Sequence, residues 1–105
     1  MKVQYLFNSD GEWICFKIGK YVYDTDCNWI GWLPWKDNDV VTEDGDYLGT
    51  ICDNNRIYHF NNKPYRGYPG YPGYPGYPGY PGYPGYAGYS PLPSNATDIA
   101  IPKSE

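Results

Sequence analysis

The stretch YVYDTDCNWIG, residues 21–31, decides the fold because it has the pattern of a complete β-hairpin. Aromatic and β-branched residues stand at positions 21–23, turn-forming residues at 24–28, and the apolar pattern resumes at 29–30. Short runs of this kind, separated by Asp and Asn, are typical of two strands joined by a tight turn. The stretch therefore predicts an antiparallel hairpin.

The same pattern recurs across the first part of the chain. The matching copies are YLFNSDGEWIC at 5–15, DVVTEDGDYLG at 39–49 and, more loosely, IYHFNNKPYRG at 57–67. The four copies start 16, 18 and 18 residues apart. A single hairpin is marginally stable in water, so the copies need to pack against one another. We therefore predict an all-β fold of four short β-hairpin repeats around a pseudo-four-fold axis.

Two of the copies depart from the shared pattern. Cys27 stands at the turn position that holds Gly11 and Gly45 in other copies, which predicts either strain or another turn type there. Lys63-Pro64 replaces the turn chemistry of the fourth copy, so its outgoing strand is expected to be weak or missing. The equivalent positions expected to share the centre are Leu6, Val22, Val40 and Tyr58.

The stacked copies, with YVYDTDCNWIGW as the clearest, resemble the bacterial four-fold β-flower domain proteins. The resemblance covers residues 4–66 and implies four hairpin petals around a central axis. That family has no established activity, so the resemblance implies no catalytic residues. The stretches FNSDGEW and YDTDCNWIGW are also similar to the choline- and glucan-binding repeats of surface proteins, which implies a carbohydrate ligand.

Composition divides the chain into three parts. Residues 1–66 hold all four Trp and most of the charged residues, whereas residues 67–89 contain only Gly, Pro, Tyr and one Ala. A domain this small needs large aromatic side chains to bury enough surface. We predict a four-hairpin domain at 1–66, a low-complexity arm at 67–89 and a C-terminal tail at 90–105, where Ile99 and Ile101 alternate like a short edge strand.

The arm reads GYPGYPGYPGYPGYPGYPGYAGY. Pro fixes φ and removes backbone donors, while Gly disfavours both helix and sheet, so the arm is predicted to be polyproline-II-like or disordered. Three residues per turn would align the Tyr side chains on one edge, about 9 Å apart. The candidate interaction residues on the arm are Tyr68, Tyr71, Tyr74, Tyr77, Tyr80, Tyr83 and Tyr86.

Four roles for the arm remain open from sequence alone. It could bind a partner through many weak Tyr contacts, or dock on the aromatic domain of its own or a neighbouring chain. Its strict Gly period also permits a collagen-like triple helix, and repeat expansion could have produced a simple spacer.

Patterns that would support catalysis or metal binding are weak. The three cysteines form no CxxC pair, and His59 has no Cys or His at ligand spacing. Residues 24–28 begin like a calcium loop, but Trp29 and Trp35 stand where the loop requires Gly and Glu. We therefore predict no metal, no cofactor and no enzymatic activity.

Charge and the remaining aromatic residues narrow the class of partner. A net charge of −4 disfavours nucleic acid, no apolar run is long enough to span a membrane, and no signal peptide is visible, so we expect a cytoplasmic protein. Trp32 and Trp35 flank Pro34 and are candidates for an exposed platform. The predicted function is binding of a protein partner, or self-association into a homo-oligomer; the alternative is a carbohydrate-binding module.

Overall fold

A computed structural model describes residues 2–101, and over this range the chain is all-β with almost no helix. The strands are β1 Val3–Phe7, β2 Trp13–Ile18, β3 Tyr21–Asp24, β4 Trp29–Trp32, β5 Asp39–Val41, β6 Tyr47–Cys52, β7 Arg56–Phe60 and β8 Ala96–Asp98. A short 3-10 turn at Asp53–Asn55 joins β6 to β7. Within residues 2–101, no helix has both the length and the apolar character that a membrane crossing requires.

Strands β1 to β7 form a closed, mixed seven-stranded barrel. Each strand lies antiparallel to the next in chain order, and the ring closes where β1 runs parallel to β7 at Phe7 and Arg56. β8 pairs antiparallel with β7, with Tyr58 opposite Asp98 and Phe60 opposite Ala96. Because β6 occupies one edge of β7, β1 and β8 both pair with its other edge. This edge, where the barrel closes, is here called the seam.

The hairpins β1–β2, β3–β4 and β5–β6 are built alike. Each has a β-bulge next to its turn, opposite residues 6/7, 22/23 and 40/41. Each turn places one residue at positive φ: Gly11 at 86°, Cys27 at 68° and Gly45 at 88°. Cys27 therefore keeps the turn geometry of its glycine equivalents and accepts the left-handed conformation, so the strained alternative is the correct one.

β7 pairs with a strand from a distant part of the chain. Residues 61–95 contain no strand, and β8 pairs with β7 where the outgoing strand of the fourth copy would lie. The missing outgoing strand was expected from Lys63-Pro64. The boundary predicted at residue 66 marks a change of composition, while the sheet and the core continue into residues 96–99.

The barrel interior is filled by small and medium-sized apolar side chains. Its buried members are Leu6, Cys15, Val22, Ile30, Val40, Leu48, Ile51, Ile57 and Ile99. Three of the four residues expected at the centre are present, but Ile57 takes the place predicted for Tyr58. The strand alternation of the fourth copy is therefore shifted by one residue relative to the other three.

Ile99 anchors the C-terminal segment inside the barrel. Its side chain is 8% exposed, and a methyl group added at Gly49 would lie 2.7 Å from Ile99 Cγ2. We expect Ile99→Ala to lower the free energy of unfolding by about 2–4 kcal/mol, because it leaves a cavity in a packed core. Urea denaturation measures the change. Leu92→Ala is the matched control, since Leu92 is 41% exposed, and a similar loss in both variants would contradict the assignment.

A second cluster lies outside the barrel, on the face of β1–β4. Because side chains alternate along a strand, interior Leu6 leaves Tyr5 on the outer face, and interior Cys15 leaves Phe16 there. Phe16 is nevertheless fully buried and Tyr23 is only 4% exposed. A layer of chain must therefore cover this outer aromatic cluster.

Residues 67–89, here called the tyrosine belt, supply that cover. They contain neither strand nor helix and run around the barrel past hairpin β5–β6, then β3–β4, then β1–β2. The belt glycines all have positive φ, between 84° and 100°, whereas polyproline II needs φ near −75° at every residue. The belt is therefore curved around the barrel and departs from the straight polyproline II rod that the sequence predicts.

Candidate functional site: the tyrosine belt

Two tryptophans hold the belt against the barrel. Trp29, at the start of β4, lies between Tyr71 and Tyr74 with ring centroids 5.8 and 5.9 Å away. Trp13, at the start of β2, lies between Tyr80 and Tyr83 at 5.9 and 6.0 Å. Tilted and edge-on contacts at these distances are favourable aromatic pairings. Each indole thus fills one gap between successive belt tyrosines.

The indoles are fixed in place by their own strands. Trp13 Nε1 donates to the Cys15 carbonyl at 2.8 Å, and Trp29 Nε1 donates to the Gly31 carbonyl at 2.7 Å. The same local bond at equivalent positions gives both rings the same orientation. Because each indole N–H already has a hydrogen-bond partner, the half-buried ring can pack against the belt as an apolar surface.

The belt advances nine residues for each hairpin that it passes. Tyr71 and Tyr80 take equivalent places beside the two tryptophans, as do Tyr74 and Tyr83. The turns show the same spacing. Tyr68 packs over Gly45, whose added Cβ would lie 2.7 Å from the ring, and Tyr77 lies nine residues later at Cys27. The nearby Cys27 thiol raises the pKa of Tyr77 above its usual value, because it favours the protonated phenol.

The first end of the belt is fixed by charge. Arg66 donates to Asp37 at 2.6 Å and to Asp39 at 3.0 Å, and its guanidinium lies 3.9 Å from the centre of the Trp35 ring. Lys63 lies 3.0 Å from the same Asp39 carboxylate. Asp39 is 4% exposed, so its charge needs these partners. The arrangement places Gly67 at a defined position beside hairpin β5–β6.

Acid should weaken this anchor. The hydrogen bond from Arg66 holds the pKa of Asp37 below its ordinary value of 3.8. The stability that this ion pair contributes is therefore fully present above pH 3.8 and is lost as the pH falls through the folded-state pKa of Asp37. Asp37 is largely exposed, so the loss is expected to stay below about 1 kcal/mol. Unfolding measured between neutral pH and acid checks it. Asp37→Asn should remove this acid dependence, and an unchanged profile would contradict the assignment.

The second end is fixed by backbone hydrogen bonds. Ala87 N–H donates to the Gly11 carbonyl at 2.9 Å, and Ser90 N–H donates to the Ser9 carbonyl at 2.8 Å. Ser9 in turn donates to both Asp98 oxygens, from its N–H at 2.8 Å and its hydroxyl at 2.7 Å. Turn β1–β2, the end of the belt and β8 are thereby joined.

Arg56 adds a buried link at the barrel seam. Its side chain donates to the Asn8 carbonyl at 2.8 Å and to the Ala87 carbonyl at 3.3 Å, and the residue is only 6% exposed. Both acceptors are uncharged backbone carbonyls, so this arginine links two segments of the chain through hydrogen bonds and forms no ion pair with them. It ties β7 to the first turn and to the end of the belt.

Ala87 interrupts the Tyr-Pro-Gly repeat where a backbone donor is needed. A proline there would continue the repeat but has no N–H to donate to Gly11. We expect Ala87→Pro to lower the free energy of unfolding by about 1–3 kcal/mol, because the end of the belt loses its hydrogen bond to the Gly11 carbonyl. Thermal unfolding measures the loss. Ala87→Ser retains the N–H and should stay close to the parent, so equal losses would contradict this role.

The belt tyrosines themselves face solvent. Tyr68, Tyr71, Tyr74, Tyr77, Tyr80, Tyr83, Tyr86 and Tyr89 are between 56% and 72% exposed, whereas the belt glycines are half-buried. Residues 67–97 carry no charged side chain. The surface is therefore a row of neutral phenol groups with its backbone turned toward the barrel.

The two tryptophans predicted as an exposed platform are placed differently. Trp32 is 7% exposed, so the prediction of an exposed platform there is wrong: its position near the end of β4 puts the ring into the packed layer. Trp35 is half-buried, and Arg66 covers one face of its ring. Trp32 therefore offers no free face for stacking on a sugar, and Trp35 has one face already covered.

Sequence reasoning missed several residues of this site. Sequence reasoning gave Trp13 and Trp29 no role in holding the belt, which is the role that they have in the structure. The available signal was that both stand at the same position of successive hairpin copies. Ala87 was visible as the break in the repeat. Arg56 carried no local signal, because both of its acceptors are distant backbone groups.

The surroundings of Cys15, Cys52 and His59 determine how reactive these side chains are. Burial raises the pKa of the Cys15 thiol strongly, and raises that of Cys52 as well, so both thiols stay protonated near neutral pH. His59 Nδ1 lies 3.2 Å from the Leu48 carbonyl, and its ring packs on Tyr47 at 4.9 Å. Residues 2–101 bring no three His, Cys, Asp or Glu side chains together in a way that could hold a metal ion.

Comparisons of this chain with protein-family models, with curated proteins and with solved structures found no match.

Proposed function

We propose that the barrel consists of four hairpin units around a pseudo-four-fold axis, as the resemblance to the β-flower proteins implies. Three hairpins share the bulge position and the positive-φ turn residue. β7 and β8 form the fourth unit from two distant segments. In this arrangement the tyrosine belt covers the outer face of the hairpins, and its exposed tyrosines form the surface available to a partner.

We further propose that the chain is a non-enzymatic protein that binds a protein partner through the tyrosine belt. One observation carries the proposal: a row of exposed phenol groups is held on a segment that is fixed at both ends and twice in between. Such a segment loses little conformational freedom on binding, so weak contacts yield more net affinity.

The chemistry of the belt favours extended, proline- or aromatic-containing segments as ligands. Tyrosine combines a large apolar face with a hydroxyl that stays hydrated at the rim, which is why it is common in protein interfaces. Each ring contributes a small amount, and a regular row multiplies it when the ligand has a matching period. A neutral stretch in a chain of net charge −4 also lowers repulsion against acidic partners.

A carbohydrate ligand is the second candidate. Exposed tyrosine faces can stack on sugar rings, and the belt supplies eight of them at 56–72% exposure. The burial of Trp32 moves this alternative from the tryptophans to the belt.

A binding panel tests both candidates. Tyr77, Tyr86 and Tyr89 have no ring contact with the barrel tryptophans, so replacing all three with Ser should leave the fold intact. We expect the parent to bind proline-rich or aromatic peptides, and the triple Ser variant to bind at least about tenfold more weakly. The triple Phe variant keeps the rings and should retain binding. Tyrosine-dependent binding of polysaccharides alone would favour the alternative, and binding of no ligand in the panel, together with no self-association, would refute the proposal.

A further inference from the structure

The gaps of the belt are sized for an aromatic ring. Two of them, between Tyr71 and Tyr74 and between Tyr80 and Tyr83, are filled by indoles from the barrel at about 6 Å from both neighbours. The remaining gaps contain no barrel tryptophan, and the tyrosines that border them are exposed. The last two gaps, Tyr83–Tyr86 and Tyr86–Tyr89, are bordered on both sides by tyrosines that are at least 68% exposed.

A ligand that fills several such gaps at once needs rings at the period of the belt. Tyrosine recurs every third residue from Tyr68 to Tyr89, so the belt itself carries rings at that period. A second copy therefore matches it without any further adjustment of spacing. If the belts of two copies lie side by side and are offset by half the tyrosine spacing, the rings of each belt lie between the rings of the other.

Charge favours the same partner. Each chain carries a net charge of −4, so two copies repel each other across most orientations. Residues 67–97 hold no charged side chain, and the acidic Asp37 at the start of the belt is neutralised by Arg66 at 2.6 Å. Contact through the belts is thus the approach with the least repulsion between two copies.

We propose that the belts of two copies pair, each inserting tyrosines between the tyrosines of the other. The proposal rests on the proposed function, in which the belt is a binding surface, and it names a second copy of this chain as the partner.

The path of the belt sets the kind of assembly. The belt passes three successive hairpins of a closed barrel, so its tyrosines face different sides of the molecule. One neighbour can reach only a few of them, and the others stay available. Association is therefore open-ended: the average mass keeps rising with concentration and does not stop at a dimer.

Sedimentation of the full chain over a wide concentration range tests this. The monomer has a mass of 12.0 kDa, and we expect the weight-average mass to exceed it by at least about twofold at the highest concentration. The triple Ser variant at Tyr77, Tyr86 and Tyr89 should associate markedly more weakly, and the triple Phe variant should associate like the parent. A parent that stays monomeric, or a Ser variant that associates equally, overturns the proposal.

A peptide probe separates this inference from the function on which it rests. The synthetic peptide (Tyr-Pro-Gly)6 should bind the parent and reduce its self-association, whereas (Ser-Pro-Gly)6 should do neither. If the parent is monomeric and ignores (Tyr-Pro-Gly)6 but binds another panel peptide through its tyrosines, belt pairing is refuted and the proposed function stands. If it binds nothing, both are refuted. Circular dichroism of each variant verifies that it is folded.

Discussion

A chain that ends at residue 66 is expected to lose cooperative folding. This truncation removes β8, which pairs with β7, and it removes Ile99 from the barrel interior. It also uncovers the outer aromatic cluster, where Phe16 is fully buried and Tyr23 is 4% exposed. The sequence alone suggested the opposite result, since residues 1–66 contain all four hairpin copies and were expected to fold independently.

Magnitudes decide between the two expectations. Loss of the Ile99 side chain from the core costs about 2–4 kcal/mol, and each outer ring returned to water costs about 1.5–3 kcal/mol. A small domain has about 5–15 kcal/mol of total stability. Three or four such losses consume most of that margin, before the Ser9–Asp98 and Arg56–Ala87 bonds are counted.

Thermal unfolding followed by circular dichroism and Trp fluorescence measures the effect of the truncation. A chain that ends at residue 101 is the matched control, because it keeps β8, Ile99 and both belt anchors. We expect a single cooperative transition in the control and a broad or absent transition in the 1–66 chain. A 1–66 chain that melts cooperatively within a few degrees of the control would show that the belt and β8 are dispensable.

The hairpins could be predicted because their signals are local. Asp-Gly at residues 10–11 and 44–45 fixes a turn within a few residues, and alternation on either side gives the two strands. Cys27 was found by the same comparison, since it occupies the glycine position of its neighbours. The observed φ of 68° follows from the turn that the flanking residues impose.

Closure of the barrel and the path of the belt could not be predicted in the same way. The seam depends on Phe7 meeting Arg56, and on β8 meeting β7 from far along the chain, which leaves no short-range pattern. The Tyr-Pro-Gly repeat favours polyproline II when it is considered alone. Contact with Trp13 and Trp29 outweighs that preference, and glycine can adopt φ near +90° at little cost.

Identical triplets give the belt no register of its own. Any triplet could occupy the gap at Trp29 or at Trp13, because each presents the same Tyr-Pro-Gly-Tyr sequence. The register is therefore set by the two unlike ends, Arg66 with its carboxylates and Ala87 with Gly11. A change at either end should affect the whole belt, and a change in one central triplet should affect it less.

Gly11→Ala is accordingly expected to release the end of the belt. Gly11 has φ of 86°, and an added Cβ would lie 2.4 Å from the Gly88 carbonyl oxygen, so backbone must move away from backbone. Gly19 is the matched control: its φ is 60°, but no atom lies within 4 Å of an added Cβ. Strain alone costs about 1–2 kcal/mol for a residue with a side chain in the left-handed region.

Both glycine variants carry the same backbone strain, so any larger loss of unfolding free energy in Gly11→Ala reports the contact with the belt. We expect Gly19→Ala to lose about 1 kcal/mol of unfolding free energy and Gly11→Ala to lose at least about 3 kcal/mol, because only the second also breaks the Ala87–Gly11 bond. Hydrogen exchange at the Ala87 amide gives a direct test. Its N–H should be protected in the parent and in Gly19→Ala and should exchange rapidly in Gly11→Ala; protection in all three proteins would mean that the belt does not depend on this turn.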